Sequence, residues 1–414
     1  MEKTPPQPLP TRGRGLTQPV RRSPIEAEVC REFSPPLWWG PKDAGRPEGD
    51  FLVSKPSIRT EKPMPLIERA TLTDFAQNML TRAGMETDKA KATAAILVEG
   101  DMIGHETHGV SLLHWYVEAL EDGSLAKTGS YEVVNDRGAA FVWDGKSLPG
   151  AWLLSEALDQ ACERVGQYGV VTAVIRNCHH TCALSAFMRQ VTERGLIVQI
   201  SVSHPAASRV APYGGTKPLL TPNPMAAGFP TSADPILIDV SASITTTTMT
   251  QTLAKAGQKF PEAWAFTASG EPTDDPREVT ERGGTMMPLG GQLKGHKGFG
   301  LALIVELLGQ GLSGKGRANA PAGVFSQSAF LQVIDPAFFA GLDAFTTQSD
   351  HLAEACRSNP PAAWNNGPVR MPGDSAARKR RAALEKGVPV GDVAWEKLGR
   401  DAARLGIDIP SVLA

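Results

Sequence analysis

Two short segments concentrate imidazoles in a chain that has eight histidines. They are His105-Glu106-Thr107-His108-Gly109 and Asn177-Cys178-His179-His180. Imidazole titrates near neutrality, so such groups can give or take a proton at an alcohol or carbonyl carbon during hydride transfer. Cys178-His179-His180-Thr181-Cys182 also offers four potential metal ligands in five residues. Zinc sites recruit a second ligand pair from a distant segment, because adjacent residues cannot all face one ion. The sequence has no second cluster, and no metal is expected. His105 and His108 are three apart, which is not the H-E-x-x-H of zinc proteases. A lone helical histidine is more often a satisfied core or surface residue than a catalyst, so His108 needs support beyond its own chemistry.

The elements around these segments are legible from periodicity. Phe75, Met79 and Leu80 recur at helical spacing before Gly84, which suits the left-handed stop of a helix. A second helix through Ala90, Ala94, Leu97, Val98 and Met102 runs into the Thr107-His108-Gly109 segment. A helix over 151–165 leads to a strand at 169–176, and a helix over 183–194 leads to a strand at 196–203. Another buried-type strand covers 235–240. Alternating helix and strand from 139 to 241 predicts an α/β architecture. A helix with an apolar face covers 298–311, and two amphipathic helices within 375–405 are split by Gly387-Val388-Pro389.

Gly309-Gln310-Gly311-Leu312-Ser313-Gly314 fits G-x-G-x-x-G, but a dinucleotide fingerprint needs a strand before it and a helix after it. Here a helix precedes, so a Rossmann loop is not expected. Gly316 stands where a phosphate-binding P-loop needs Ser or Thr, which removes that reading as well.

With 414 residues, 41% hydrophobic and 21% charged, the chain can bury a substantial core. A net charge of −2 gives no reason to expect nucleic acid or an anionic membrane as partner. Five cysteines without a regular framework suggest reduced thiols. No apolar run is long enough to span a bilayer, and the N-terminus lacks a signal-peptide core. A soluble cytoplasmic protein is the expectation. Residues 1–64, rich in Pro, Arg and Gly, read as a disordered or loosely attached extension.

Several motifs, dispersed from about residue 65 to 410, resemble the type-2 malate/L-lactate dehydrogenase family. Gly104-His105-Glu106-Thr107-His108-Gly109-Val110 resembles its G-x-x-S-H-G-V, and Arg176-Asn177-Cys178-His179-His180 its R-N-S-N-H. Further matches are 209–215, Asn223-Pro224-Met225-Ala226, 238–243, 288–291 with 296–300, and 369–373. Each is weak alone; their order and spacing are specific. The resemblance implies a divergent member with a non-Rossmann α/β fold that binds NAD or NADP. By that resemblance, 136–318 would form the cofactor-binding domain. Helices from 65–135 would pack with the segment 319–414, and the chain would form a homodimer.

Carried over position by position, the resemblance makes His108 the catalytic acid/base, Thr107 its hydroxyl neighbour and His180 a second histidine beside the nicotinamide. Cofactor contacts would fall on His180, His204, Val240, Ser241, Ala242 and Lys297. Their bland readings are an ordinary strand end for 240–242 and a solvated lysine for 297. The departures lie in the substrate pocket. Leu112 stands where the family commonly has a carboxylate-gripping Arg, Pro222 where it has the Thr of T-N-P, and Met249 falls in the altered segment 246–249. The expectation is an NAD(P)-dependent oxidoreductase of a hydroxyl/carbonyl or amine/imine pair, on a small-molecule substrate in an altered pocket. The alternative is a cofactor-binding but inactive subunit.

Overall fold

The computed structural model describes residues 64–320 and 323–413, so the expected N-terminal extension, with Cys30, lies outside the described residues apart from Met64. A mixed seven-stranded sheet forms the centre: β1 (Glu132–Asp136), β2 (Ala140–Asp144), β3 (Val170–Cys178), β4 (Ile197–Ser203), β5 (Pro224–Phe229), β6 (Ile236–Ser241) and β7 (Gln327–Ile334). Their spatial order is β1-β2-β3-β7-β4-β5-β6. β2 and β3 are parallel, joined through helix α4 (Gly150–Tyr168), and every other neighbouring pair is antiparallel. This is an α/β fold without the doubly wound parallel sheet of a Rossmann domain.

β7 comes from the segment that sequence placed with the C-terminal helices, yet it is the middle strand. Ala329, Leu331 and Val333 are fully buried between the two neighbouring strands. Its apolar run has no clear alternation, because both faces of the sheet are covered there, and periodicity cannot separate such a run from a buried helix.

Helices from both termini share one core. α1 (Arg69–Arg82) is capped by the Glu68 carboxylate, which accepts from the backbone of Ala70 and Thr71, and Gly84 closes it at φ +103°. α2 (Thr87–Met102) packs on α1 and on α4, and α3 (Leu113–Asp122) follows the His108 segment. Leu66–Ile67 pairs with Val388–Pro389, so the described N-terminal end is stitched to the C-terminal region. Arg380 of α9 (Asp374–Lys386) holds Glu99 at 2.7 Å, and Asp401 of α10 (Asp392–Leu405) reaches His114 at 2.7 Å. The other helices of eight or more residues among the described residues are α5 (Ser185–Thr192), α6 (Thr247–Lys255), α7 (His296–Glu306) and α8 (Leu342–Arg357). The glycines at 309–314 continue the end of α7 in a π-type turn, with no strand before them.

Candidate active site

Register fixes where the chemistry sits. Cys178 at the end of β3 faces Gln327 at the start of β7, and Ser203 at the end of β4 faces Ser328. Ser201 faces Met225 near the start of β5, and Pro224 faces Ser241 at the end of β6. These ends therefore line up along one margin of the sheet. The loops that leave them and the turn before α3 enclose a cleft of about 860 Å³.

Two left-handed residues shape the histidine loop: Asn177 (φ 51°) and Cys182 (φ 60°) turn the chain at either end of 178–181. Asn177 donates its amide to Asp144 at 2.8 Å, and Gln327 accepts from both the backbone and the hydroxyl of Thr181. Gly150 lets the start of α4 rest on the carbonyls of His179 and His180, where a Cβ would collide.

The structure brings His108, His180, His204, Pro222, Val240 and Ser241 to this cleft. The rings of His108 and His180 stack at 5.7 Å between centroids, inclined by 23°. Thr107 does not line the cleft, but its hydroxyl sits 2.9 Å from His108 Nδ1. Ala242 is buried behind Ser241, and its carbonyl accepts from Leu289 beside Gly298. Lys297 is exposed in the first turn of α7, next to that contact rather than on the cleft wall.

Two expected substrate-pocket residues are not on the wall. Leu112 closes a short helical turn whose direction sends its side chain onto the hydrophobic core. Met249 is 50% exposed on α6, between Thr248 and Gln251, which do line the cleft.

Burial sets the electrostatics. Desolvation lowers the pKa of His108, aided by His105 and opposed by Asp239. His180 is pushed well below the ordinary imidazole value by burial and then by His108, His179 and His204. Its Nδ1 accepts the backbone N–H of Cys182 at 3.2 Å, so the neutral ring carries its proton on Nε2 and can act as a donor. The Tyr116 hydroxyl braces the loop by donating to the His180 carbonyl at 3.0 Å. His204 is held down to about 4 by burial, with Arg317 and Arg209 adding to it, and its Nδ1 is buried without a hydrogen-bond partner.

Sequence reasoning missed Trp115, Phe325, Asp239 and Arg209 as cleft residues. Trp115 stacks on His179 at 4.8 Å, and Phe325 lies 4.5 Å from the His204 ring. Asp239 sits inside a quoted motif, and its strand position was the available signal. The aromatics come from segments far apart in sequence and carry no local signal. No group of three His, Cys, Asp or Glu side chains that could hold a metal ion occurs among the described residues.

The model of the malate/L-lactate dehydrogenase family matches residues 67–399, and the chain belongs to that family. It is therefore an oxidoreductase of the dehydrogenase/reductase type. It is similar to an L-lactate dehydrogenase of Cupriavidus necator, with 30% identity over 345 residues, 81% of this chain and 97% of that protein. A Δ1-pyrroline-2-carboxylate/Δ1-piperideine-2-carboxylate reductase of Pseudomonas putida is also 30% identical, over 82% of this chain and 96% of its own length. The fold is that of the malate dehydrogenase of Entamoeba histolytica, with a TM-score of 0.77, 21% identity, and coverage of 84% of this chain and 100% of that one.

Proposed function

We propose that the cleft binds a nicotinamide dinucleotide, NAD or NADP, beside a small carboxylate substrate whose alcohol or amine carbon exchanges hydride with it. The observation that carries this reading is the stacked pair His108 and His180 in one cleft at the strand ends. The cleft volume is in the range that holds cofactor-sized ligands, and the unpartnered Nδ1 of His204 is available to a polar group there. Ser241, Ala242 and the Lys297–Gly298 turn are contiguous, which supports their assignment along the cofactor. A bound nicotinamide would accept or supply the hydride.

This chain's own residues handle the proton. His108, neutral because burial lowers its pKa, takes the proton from the substrate O–H or N–H during oxidation and returns it during reduction. Thr107 holds the imidazole through Nδ1, leaving Nε2 for the substrate. His180 donates from Nε2 to a carbonyl-type oxygen and stays uncharged. With Leu112 on the core, Arg209 is the arginine on the cleft wall, and its guanidinium makes no ion pair among the described residues. It suits a substrate carboxylate, whether on an oxo acid or a cyclic imine. Pro222 in place of a hydroxyl residue, with the neighbouring Thr221 hydroxyl donating to Asn223 at 2.6 Å, leaves that wall less polar. These features support an altered substrate pocket.

His108→Ala is expected to lower kcat by about 10²–10⁴-fold while nicotinamide fluorescence still reports cofactor binding. The assay panel is 2-hydroxy acids and cyclic 2-carboxy imines. Undiminished turnover in that variant overturns the reading. Cofactor binding by the unaltered chain with no turnover across the panel would favour an inactive, cofactor-binding subunit instead.

The homodimer expectation is supported by an apolar surface on α7 and beyond, where Ile304, Leu307 (67% exposed) and Leu312 face outward. Light scattering at the monomer mass would remove it. A cytoplasmic location is consistent with free thiols at Cys162, Cys178, Cys182 and Cys356. No helix among the described residues is long and apolar enough to cross a membrane.

A further inference from the structure

Directly beneath the His108 turn lies a carboxyl that the chemistry above does not use. Asp101, in the last turn of α2, is 4% exposed and forms no ion pair among the described residues. Its Oδ2 accepts the backbone N–H of Val110 at 2.8 Å. Gly109, the residue after His108, rests on the same carboxyl, and a Cβ there would overlap it. Gly100 meanwhile lies against the His108 carbonyl, at 3.1 Å from where its own Cβ would stand. The backbone of 108–110 thus packs against α2 at three successive residues and is hydrogen-bonded to it at Val110.

We propose that Asp101 is a positioning residue for the proton-transfer histidine: its carboxyl anchors Gly109 and Val110 and so holds the His108 imidazole over the cleft. This rests on the reading of His108 given above. A glycine at 109 is what permits the anchor, since any side chain would displace the carboxyl.

Burial pushes the Asp101 carboxyl up to about 8; the Val110 N–H opposes this and Glu106 adds to it. The carboxyl is therefore uncharged at neutral pH. As pH rises past that value, a charge appears with no cation paired to it. Of the groups around it, Glu106 has the same sign, and Glu99 is taken by Arg380 of α9 at 2.7 Å. Lys379 of that helix lies against Gly104, and the remaining titratable neighbours in the turn are His105 and His108. The Val110 N–H binds the charged carboxyl more strongly, but a buried charge without a cation draws water under the turn and shifts it against α2.

The test uses the full chain with Asp101→Asn and Asp101→Ala, following kcat against pH on a substrate that turns over, alongside cofactor titration by nicotinamide fluorescence. Asn keeps an acceptor for Val110 and cannot ionise. It is expected to retain kcat at neutral pH and to lack the fall near pH 8 expected of the unaltered chain. Ala leaves Val110 without its partner and is expected to lower kcat on the order of 10²-fold with cofactor affinity unchanged. A folded Ala variant with undiminished kcat, or an Asn variant that keeps the alkaline fall, overturns the proposal. If the Ala variant does not fold, the Asn pH profile decides. Undiminished turnover in His108→Ala defeats the underlying reading. An inactive His108→Ala beside unaffected Asp101 variants defeats this inference alone.

Discussion

The two ends of the cleft are built differently. At one end, His108 and His180 stack within a shell of Trp115, Tyr116, His179 and Phe325, drawn from three separated segments. Burial there drives every resolved imidazole shift in the same direction, downward. At the other end, Thr246, Thr247, Thr248, Gln251 and Arg209 form a more open, hydroxyl-rich wall. The contrast separates two tasks. On the proposed reading, the crowded end would fix protonation state and ring orientation, and the open end would select among substrates by charge and hydrogen bonding.

The comparison is sharpened first by substitutions at the dry end. His180→Phe keeps a ring but removes the Nε2 donor, and it should cost about 10²-fold in kcat, read in steady-state kinetics. A loss confined to KM would mean that this end serves binding rather than reaction. At the open end, Arg209→Ala should act oppositely. It should raise KM for carboxylate substrates roughly 10-fold, through loss of a charge-assisted hydrogen bond, and leave kcat near its original value. Equal effects of the two substitutions on kcat would erase the distinction.

The titrations give a third way to break it. Because the His108 pKa is lowered, its base form persists below the ordinary imidazole value. The oxidative rate should stay flat through neutral pH and fall only as pH drops below about 6.5. A fall already complete at neutral pH would contradict a desolvated base.

His179 makes the corresponding stability prediction. It is fully buried, both ring nitrogens lack partners, and burial lowers its pKa to about 4. Its folded value lies below the unfolded one, so its contribution is complete above pH 6.5. The loss runs from about pH 6.5 down through 4, amounting to about 3 kcal/mol. His179→Phe should flatten that acid limb in denaturant titrations at several pH values. The smallest effect expected is on kcat, since His179 does not line the cleft.

Much of this architecture is readable from local pattern. The helices from Thr71 to Met102 and the strands near 170–178 and 197–203 follow from apolar spacing and a glycine stop. The dismissal of the 309–314 glycines follows from the helix before them. The motif resemblance selected His108, His180, His204, Val240 and Ser241, and these line one cleft. Leu112 and Met249 could not be placed the same way. Side-chain direction in a short turn or on an exposed helix depends on what packs behind it, which spacing does not encode.

The amino-acid order alone therefore determined most helices and strands, because residue type and periodicity are local properties, and its dispersed motifs carried the resemblance that implied the class of chemistry. Tertiary structure decided the rest. It put a late strand, Gln327–Ile334, at the centre of the sheet, and it brought Trp115, Asp239, Arg209 and Phe325 into the cleft that the imidazoles line. It also set the protonation states, since desolvation and the company of other charges exist only once distant segments have packed together.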